Sequence, residues 1–157
     1  MNSNDNSHLP VIHETFTEVR YGETDQMGYA HHSVAVSWFE LGRVVWMRDH
    51  GLAYGEMEKR DLLMPVAKLV LNYRAPGRFE DQLAIQTRLI ELGRSRVAFE
   101  NRVCRMVSKS DPSRVLLVEG RVDLACVSRD GKLQRLPDDI RDLFAQLLSP
   151  APAPPSA

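Results

Sequence analysis

The 157-residue chain is short of several things, and each shortage removes a class of function. It carries only two cysteines, Cys104 and Cys126, each inside an apolar strand-like run, so a multi-disulfide scaffold is excluded and buried free thiols are expected, with a single disulfide between neighbouring strands as the alternative. A formal net charge of -1 leaves no global basic field to attract nucleic acid. No apolar run reaches the roughly 20 residues that a membrane-spanning helix needs. The opening MNSNDNSHLP lacks the basic start and apolar core of a secretory leader, so a cytoplasmic location is expected. There is no Gly-x-Ser-x-Gly elbow, no glycine-rich phosphate loop and no Cys-x-x-Cys pair.

What is present fits one domain. Residues 1–10 are polar and expected to be flexible. The tail SPAPAPPSA, residues 149–157, is Pro/Ala-rich and expected to be disordered. Between them, residues 11–148 read as one folded unit without internal repeats. Val11 to Tyr21 alternates like a strand. Helix signals begin at His31 to Ser33 and stop near Gly51, with Val34, Trp38, Leu41 and Val45 at helical spacing. Val36, Phe39, Val44, Trp46 and Met47 spread apolarity around the circumference, which predicts a helix wrapped by other structure. Four strands are expected next, at Met64 to Pro76, Gln82 to Leu92, Val97 to Met106 and Val115 to Val127. In Gln82 to Leu92 the residues Leu83, Ile85, Thr87 and Leu89 share one face. Asp130-Gly131 is a hairpin-turn signal. Pro137 opens a closing helix with Ile140, Leu143, Phe144 and Leu147 on its apolar face. Short connections between successive strands imply an antiparallel sheet, and a curved one would bury the long helix in its concavity. The fold class is α+β.

The stretch YGETDQMGYAHH, from Tyr21 to His32, carries the chemistry. Asp25 sits in the loop between the first strand and the helix, and Gly28 permits backbone geometry closed to other residues. His31, His32 and Ser33 lie at the helix start, where backbone N–H groups have no internal partner and carry the positive end of the dipole. Such groups suit an oxyanion developing on a carbonyl, and a neighbouring carboxylate can attack that carbonyl or activate water. Taken alone, an Asp before a helix is a cap or turn residue and a His there is a surface residue. Adjacent histidines with one Asp have no recognised metal-ligand spacing, so no metal is expected, and hydrolysis at a carbonyl needs only water, so no organic cofactor is expected either.

The segment Tyr21-Gly-Glu-Thr-Asp25-Gln-Met-Gly28-Tyr-Ala-His31-His32, with Trp38-Phe39-Glu40 and Arg43, resembles the signature of hot-dog-fold acyl-CoA thioesterases. The nearest groups are the 4-hydroxybenzoyl-CoA thioesterase family and its Tol-Pal-associated branch. The likeness continues through Leu71-Asn72-Tyr73-Arg74-Ala-Pro76, Asp81-Gln-Leu83 and Glu91-Leu-Gly93-Arg94-Ser95. It implies a hot-dog fold, a curved antiparallel sheet around a long central helix, acting as an acyl-CoA thioesterase. It also implies a homodimer with shared active sites, often assembled to a homotetramer. Carried over by position, Asp25 is the catalytic carboxylate, Gly28 the glycine of its loop, and the backbone N–H of His32 the group that polarises the thioester. The His32 imidazole matches a histidine linked to catalysis in the Tol-Pal-associated branch. His31 stands where an aromatic residue is more usual; with Tyr29 it is a candidate for substrate contact. Arg94, Ser95 and Arg96 occupy the turn where related enzymes hold the phosphates of coenzyme A, although solvated turn arginines would look the same. Glu40 and Arg43, three residues apart, are expected to form an ion pair.

Two other functions compete. A hot-dog dehydratase or hydratase would use a His and an acid, but its Asp-x-Asn-Pro-x-His pattern is absent. A non-catalytic acyl-CoA-binding or scaffold module would have little use for a carboxylate facing a thioester.

Overall fold

The computed structural model describes residues 12–108 and 110–149. Of the ends expected to be flexible, residues 1–10 and 150–157 lie outside the described residues, while Ser149, expected in the disordered tail, is buried and donates its N–H to the Leu89 carbonyl at 2.9 Å. The elements run β1 (His13–Glu18), α1 (Val34–Asp49), α2 (Tyr54–Lys59), β2 (Val66–Tyr73), β3 (Gln82–Leu92), β4 (Arg96–Met106), β5 (Arg114–Ala125) and α3 (Asp138–Leu147). The strands form one antiparallel sheet in the order β1-β3-β4-β5-β2. The alternation in β3 places Leu83, Ile85, Thr87 and Leu89 on the covered face, all fully buried. α1 lies across that face over β3, flanked by β1 and β4. This is the expected hot-dog arrangement.

The approach of α1 to the sheet depends on Gly42. A Cβ there would come 2.5 Å from Thr87 Oγ1 and 2.6 Å from Ile85 Cγ2. Only a residue without a side chain lets the helix axis come so near the strands. Beneath it the Asn101 amide donates to Thr87 Oγ1 at 2.8 Å, so the polar groups buried by this contact partly satisfy each other. Trp46, Met47 and Phe39 then fill the space between helix and sheet.

Three expectations need correction. The covered stripe of α1 is Ala35, Trp38, Phe39, Gly42, Arg43, Trp46 and Met47, while Val36 and Leu41 are exposed, so the helix is not wrapped on all sides within one chain. Arg43 makes no ion pair with Glu40. It turns inward, 6% exposed, and its Nε donates to Tyr54 Oη at 3.1 Å, while Glu40 stays in solvent. The short helix α2 was not expected; it brings Met57 into the core and supplies that tyrosine. Cys104 and Cys126 are free and buried, and burial pushes both thiols up from their ordinary range.

Candidate active site

The loop ahead of α1 is a small hairpin. Thr24 and Ala30 bridge as antiparallel partners, Asp25 N–H donates to the Tyr29 carbonyl at 2.8 Å, and Gly28 N–H donates to the Asp25 carbonyl at 3.0 Å. Gly28 closes this turn with φ 77°, a left-handed value that explains the glycine. Asp25 Oδ1 accepts the N–H groups of Met27, at 2.9 Å, and of Tyr29, at 3.3 Å. The turn role that a lone Asp suggests is therefore real. Oδ2, by contrast, takes no hydrogen bond among the described residues. One oxygen builds the loop and the other is uncommitted among the described residues.

A cleft of about 420 Å³ opens at this loop. Asp25, Met27, Tyr29, His31 and His32 form one side, and Trp38, Leu117 and Val118 belong to its apolar lining. Tyr73 to Gly77 form the other side. The two sides are joined where Ala30 N–H donates to the Gly77 carbonyl at 2.8 Å. Arg78 stacks over the Tyr29 ring at 5.0 Å, which fixes that ring at the hairpin end.

His31 has a local task that the sequence left open. Ser33 N–H donates to His31 Nδ1 at 3.3 Å, and Ser33 Oγ lies 2.8 Å from the same nitrogen. For Nδ1 to accept the N–H, the ring proton must sit on Nε2. The imidazole thus holds the N–H of the residue just ahead of α1, whose first turn has no side-chain cap from Ser33. The His31 and His32 rings pack tilted against each other, 4.2 Å between centroids. The N–H of His31 goes to the Glu23 carbonyl, and Val34 N–H goes to the His31 carbonyl. Between them, His32 N–H has no partner among the described residues.

The structure brings together Asp25, Gly28, Tyr29, His31 and His32. It does not bring Arg94, Ser95 and Arg96 to them. The Ser95 carbonyl accepts from Cys126 and the Arg94 carbonyl from Leu136, at the far end of β3. The eleven residues of β3 put that turn on the order of 30 Å from the Asp25 hairpin along the strand. Tyr73 and Ala75 are cleft residues that sequence reasoning did not assign to the site, and Trp38, which it read as a core or subunit-contact residue, lines the cleft as well. The motif containing Tyr73 was visible, but nothing local tied it to residue 32. Among the described residues no group of three His, Cys, Asp or Glu converges as a metal site, and no helix is long and apolar enough to cross a membrane.

A curved antiparallel sheet holding one long helix, with a carboxylate loop at the helix mouth, defines a hot-dog protein. The chain belongs to the Thioesterase-like superfamily, whose family model matches residues 19–148. YneP of Bacillus subtilis, provisionally named an acyl-CoA thioesterase, is 39% identical over 70 residues, 45% of this chain and 51% of that protein. The match thus spans about half the length of that relative. A solved structure of a hypothetical protein from Thermus thermophilus is 38% identical with a TM-score of 0.77, covering 87% of this chain and 97% of that one. A DHNA-CoA thioesterase from Staphylococcus aureus is 27% identical with a TM-score of 0.77, covering 86% and 89%.

Proposed function

We propose that the protein is an acyl-CoA thioesterase that uses Asp25 as nucleophile or general base and the His32 N–H as oxyanion donor. The observation that supports it most is a carboxylate with one uncommitted oxygen on the same cleft as an uncommitted N–H at the mouth of a helix. The thioester carbonyl oxygen would take the N–H, where the helix dipole favours developing negative charge. Asp25 Oδ2 would then attack the carbonyl carbon, expelling the CoA thiolate, which takes up a proton; water cleaves the resulting anhydride. Alternatively Asp25 takes a proton from water as that water attacks. Both routes yield free acid and CoA. The names of YneP and of the Staphylococcus aureus enzyme support this class of reaction.

The same reading calls for two copies. β2 pairs only with β5 among the described residues, so its outer edge has unpaired N–H and C=O groups, and Val66 and Val70 on it are exposed. Antiparallel pairing of β2 with β2 of a second copy would set the Val66 end of one chain beside the Tyr73 end of the other. Because Val66 neighbours Leu124 and Arg96 neighbours Ala125, the Arg94–Arg96 turn of the second copy would move towards the cleft. That turn then serves the CoA phosphates, and the assembly is a homodimer with shared sites or two such dimers in a homotetramer. A cytoplasmic setting suits the two free cysteines. The test is CoA release from short, long and aromatic acyl-CoAs. Release from at least one class is expected; binding of acyl-CoA without release would favour the scaffold reading instead.

A further inference from the structure

The backbone groups of residue 32 itself have one hydrogen-bonded anchor among the described residues. Among the described residues its N–H has no partner and its ring makes no hydrogen bond, and Val36 N–H bonds to the Ser33 carbonyl at 3.2 Å rather than reaching back to the His32 carbonyl. The one hydrogen bond that His32 makes among the described residues comes from Tyr73, whose hydroxyl donates to the His32 carbonyl at 2.5 Å. The contact bridges 41 residues, from the last position of β2 to the mouth of α1, across the cleft that both residues line. Locally, the peptide that carries the His32 N–H is held by Val34 N–H on the His31 carbonyl at 2.9 Å, and the next peptide by Ser33 N–H on His31 Nδ1 at 3.3 Å; Tyr73 adds the tie that fixes this turn to the sheet across the cleft.

We infer that Tyr73 is a positioning residue for thioester hydrolysis, its hydroxyl holding the His32 carbonyl so that the His32 N–H stays turned into the cleft. This rests on the thioesterase reading. The tyrosine acts through the peptide and not on the substrate, because its proton is already committed to the carbonyl. Burial also pushes the phenol up from its ordinary range, so it remains a donor through neutral pH. A further consequence is that β2, the unpaired sheet edge, carries the group that sets the oxyanion donor.

The test compares parent, Tyr73→Phe and Asp25→Asn in CoA release, with melting temperatures measured on the same samples. Tyr73→Phe should lower kcat on the order of tenfold and leave KM within about twofold, as loss of a group that serves the transition state does. Replacing Tyr73 by 4-aminophenylalanine, which keeps an N–H donor at that point, should recover most of kcat, whereas packing alone would be satisfied by Phe. A parent kcat in Tyr73→Phe, or a loss that 4-aminophenylalanine does not relieve, would overturn the inference. If Asp25→Asn also retained parent activity, the thioesterase reading itself would fall; if only Asp25→Asn were inactive, the reading would stand and the role of Tyr73 would not.

Discussion

The two ends of α1 are finished in opposite ways. At the C-terminal end, Leu52 N–H returns to the Met47 carbonyl at 2.7 Å and Gly51 N–H to Arg48 at 3.1 Å, with Gly51 at φ 79°. This satisfies the last carbonyls within the chain. His50 Nδ1–H adds a bond to the Trp46 carbonyl at 2.6 Å, and His13 reaches from β1 to Asp49 at 3.0 Å. At the N-terminal end no side chain of Ser33 caps the first turn, an imidazole holds the Ser33 N–H, the residues are exposed, and His32 N–H has no partner among the described residues. One end is closed by its own residues; the other is left open beside a cleft and a carboxylate. The same helix therefore serves stability at one end and, in the proposed reading, chemistry at the other.

Changes at the two ends should separate accordingly. The largest effect is expected at the unpaired edge that would complete the open end. Val70 lies near the middle of β2, so Val70→Asp would set like charges against each other across two paired copies. Light scattering should show a monomer, and turnover should fall on the order of 100-fold if the site needs its second half in place. Retained turnover in a monomer would refute sharing of the site. Next comes the waist of the helix. Gly42→Val drives side-chain atoms into Thr87 and Ile85 and should destabilise by about 3 kcal/mol in urea unfolding. The kcat of the fraction that remains folded should not change.

At the closed end, His13→Ala removes the tie to Asp49 and should lower the melting temperature slightly with no change in kcat or KM. A kinetic effect there would break the division between the two ends. The smallest effect concerns acid. The hydrogen bond from Arg114 holds the Glu14 carboxyl below its usual range, with Gln86 adding to it and burial opposing. Its folded-state value lies below the unfolded one, so its contribution is complete above the ordinary carboxylate range and is lost as pH falls through the lowered value. Glu14→Gln should therefore lower the melting temperature at neutral pH by the equivalent of less than about 1 kcal/mol and converge with the parent in acid.

Much of the frame was legible because local pattern and tertiary role agree. β3 begins and ends where its alternation does, the Asp130-Gly131 turn forms with Gly131 at φ 78°, and α3 starts after Pro137. α2 was missed because six residues with a single buried side chain give no periodicity to read. Arg43 defeated the rule of neighbouring charges, since a tyrosine eleven residues later offered it an inward partner. For the site, the Asp25–Gly28 turn and the helix mouth were readable as one contiguous stretch. The tie from Tyr73 was not, because it joins residues 41 apart. The place of Arg94–Arg96 was not, because only the sheet order reveals which end of β3 faces the loop.

The most direct test is the rate of CoA release by Asp25→Asn beside the parent. The amide oxygen can still accept the Met27 and Tyr29 N–H groups, so the hairpin and the melting temperature should be kept. The account predicts a loss of at least about 100-fold in kcat, the scale at which a positioned acid or base contributes. A folded variant that releases CoA at the parent rate would contradict it.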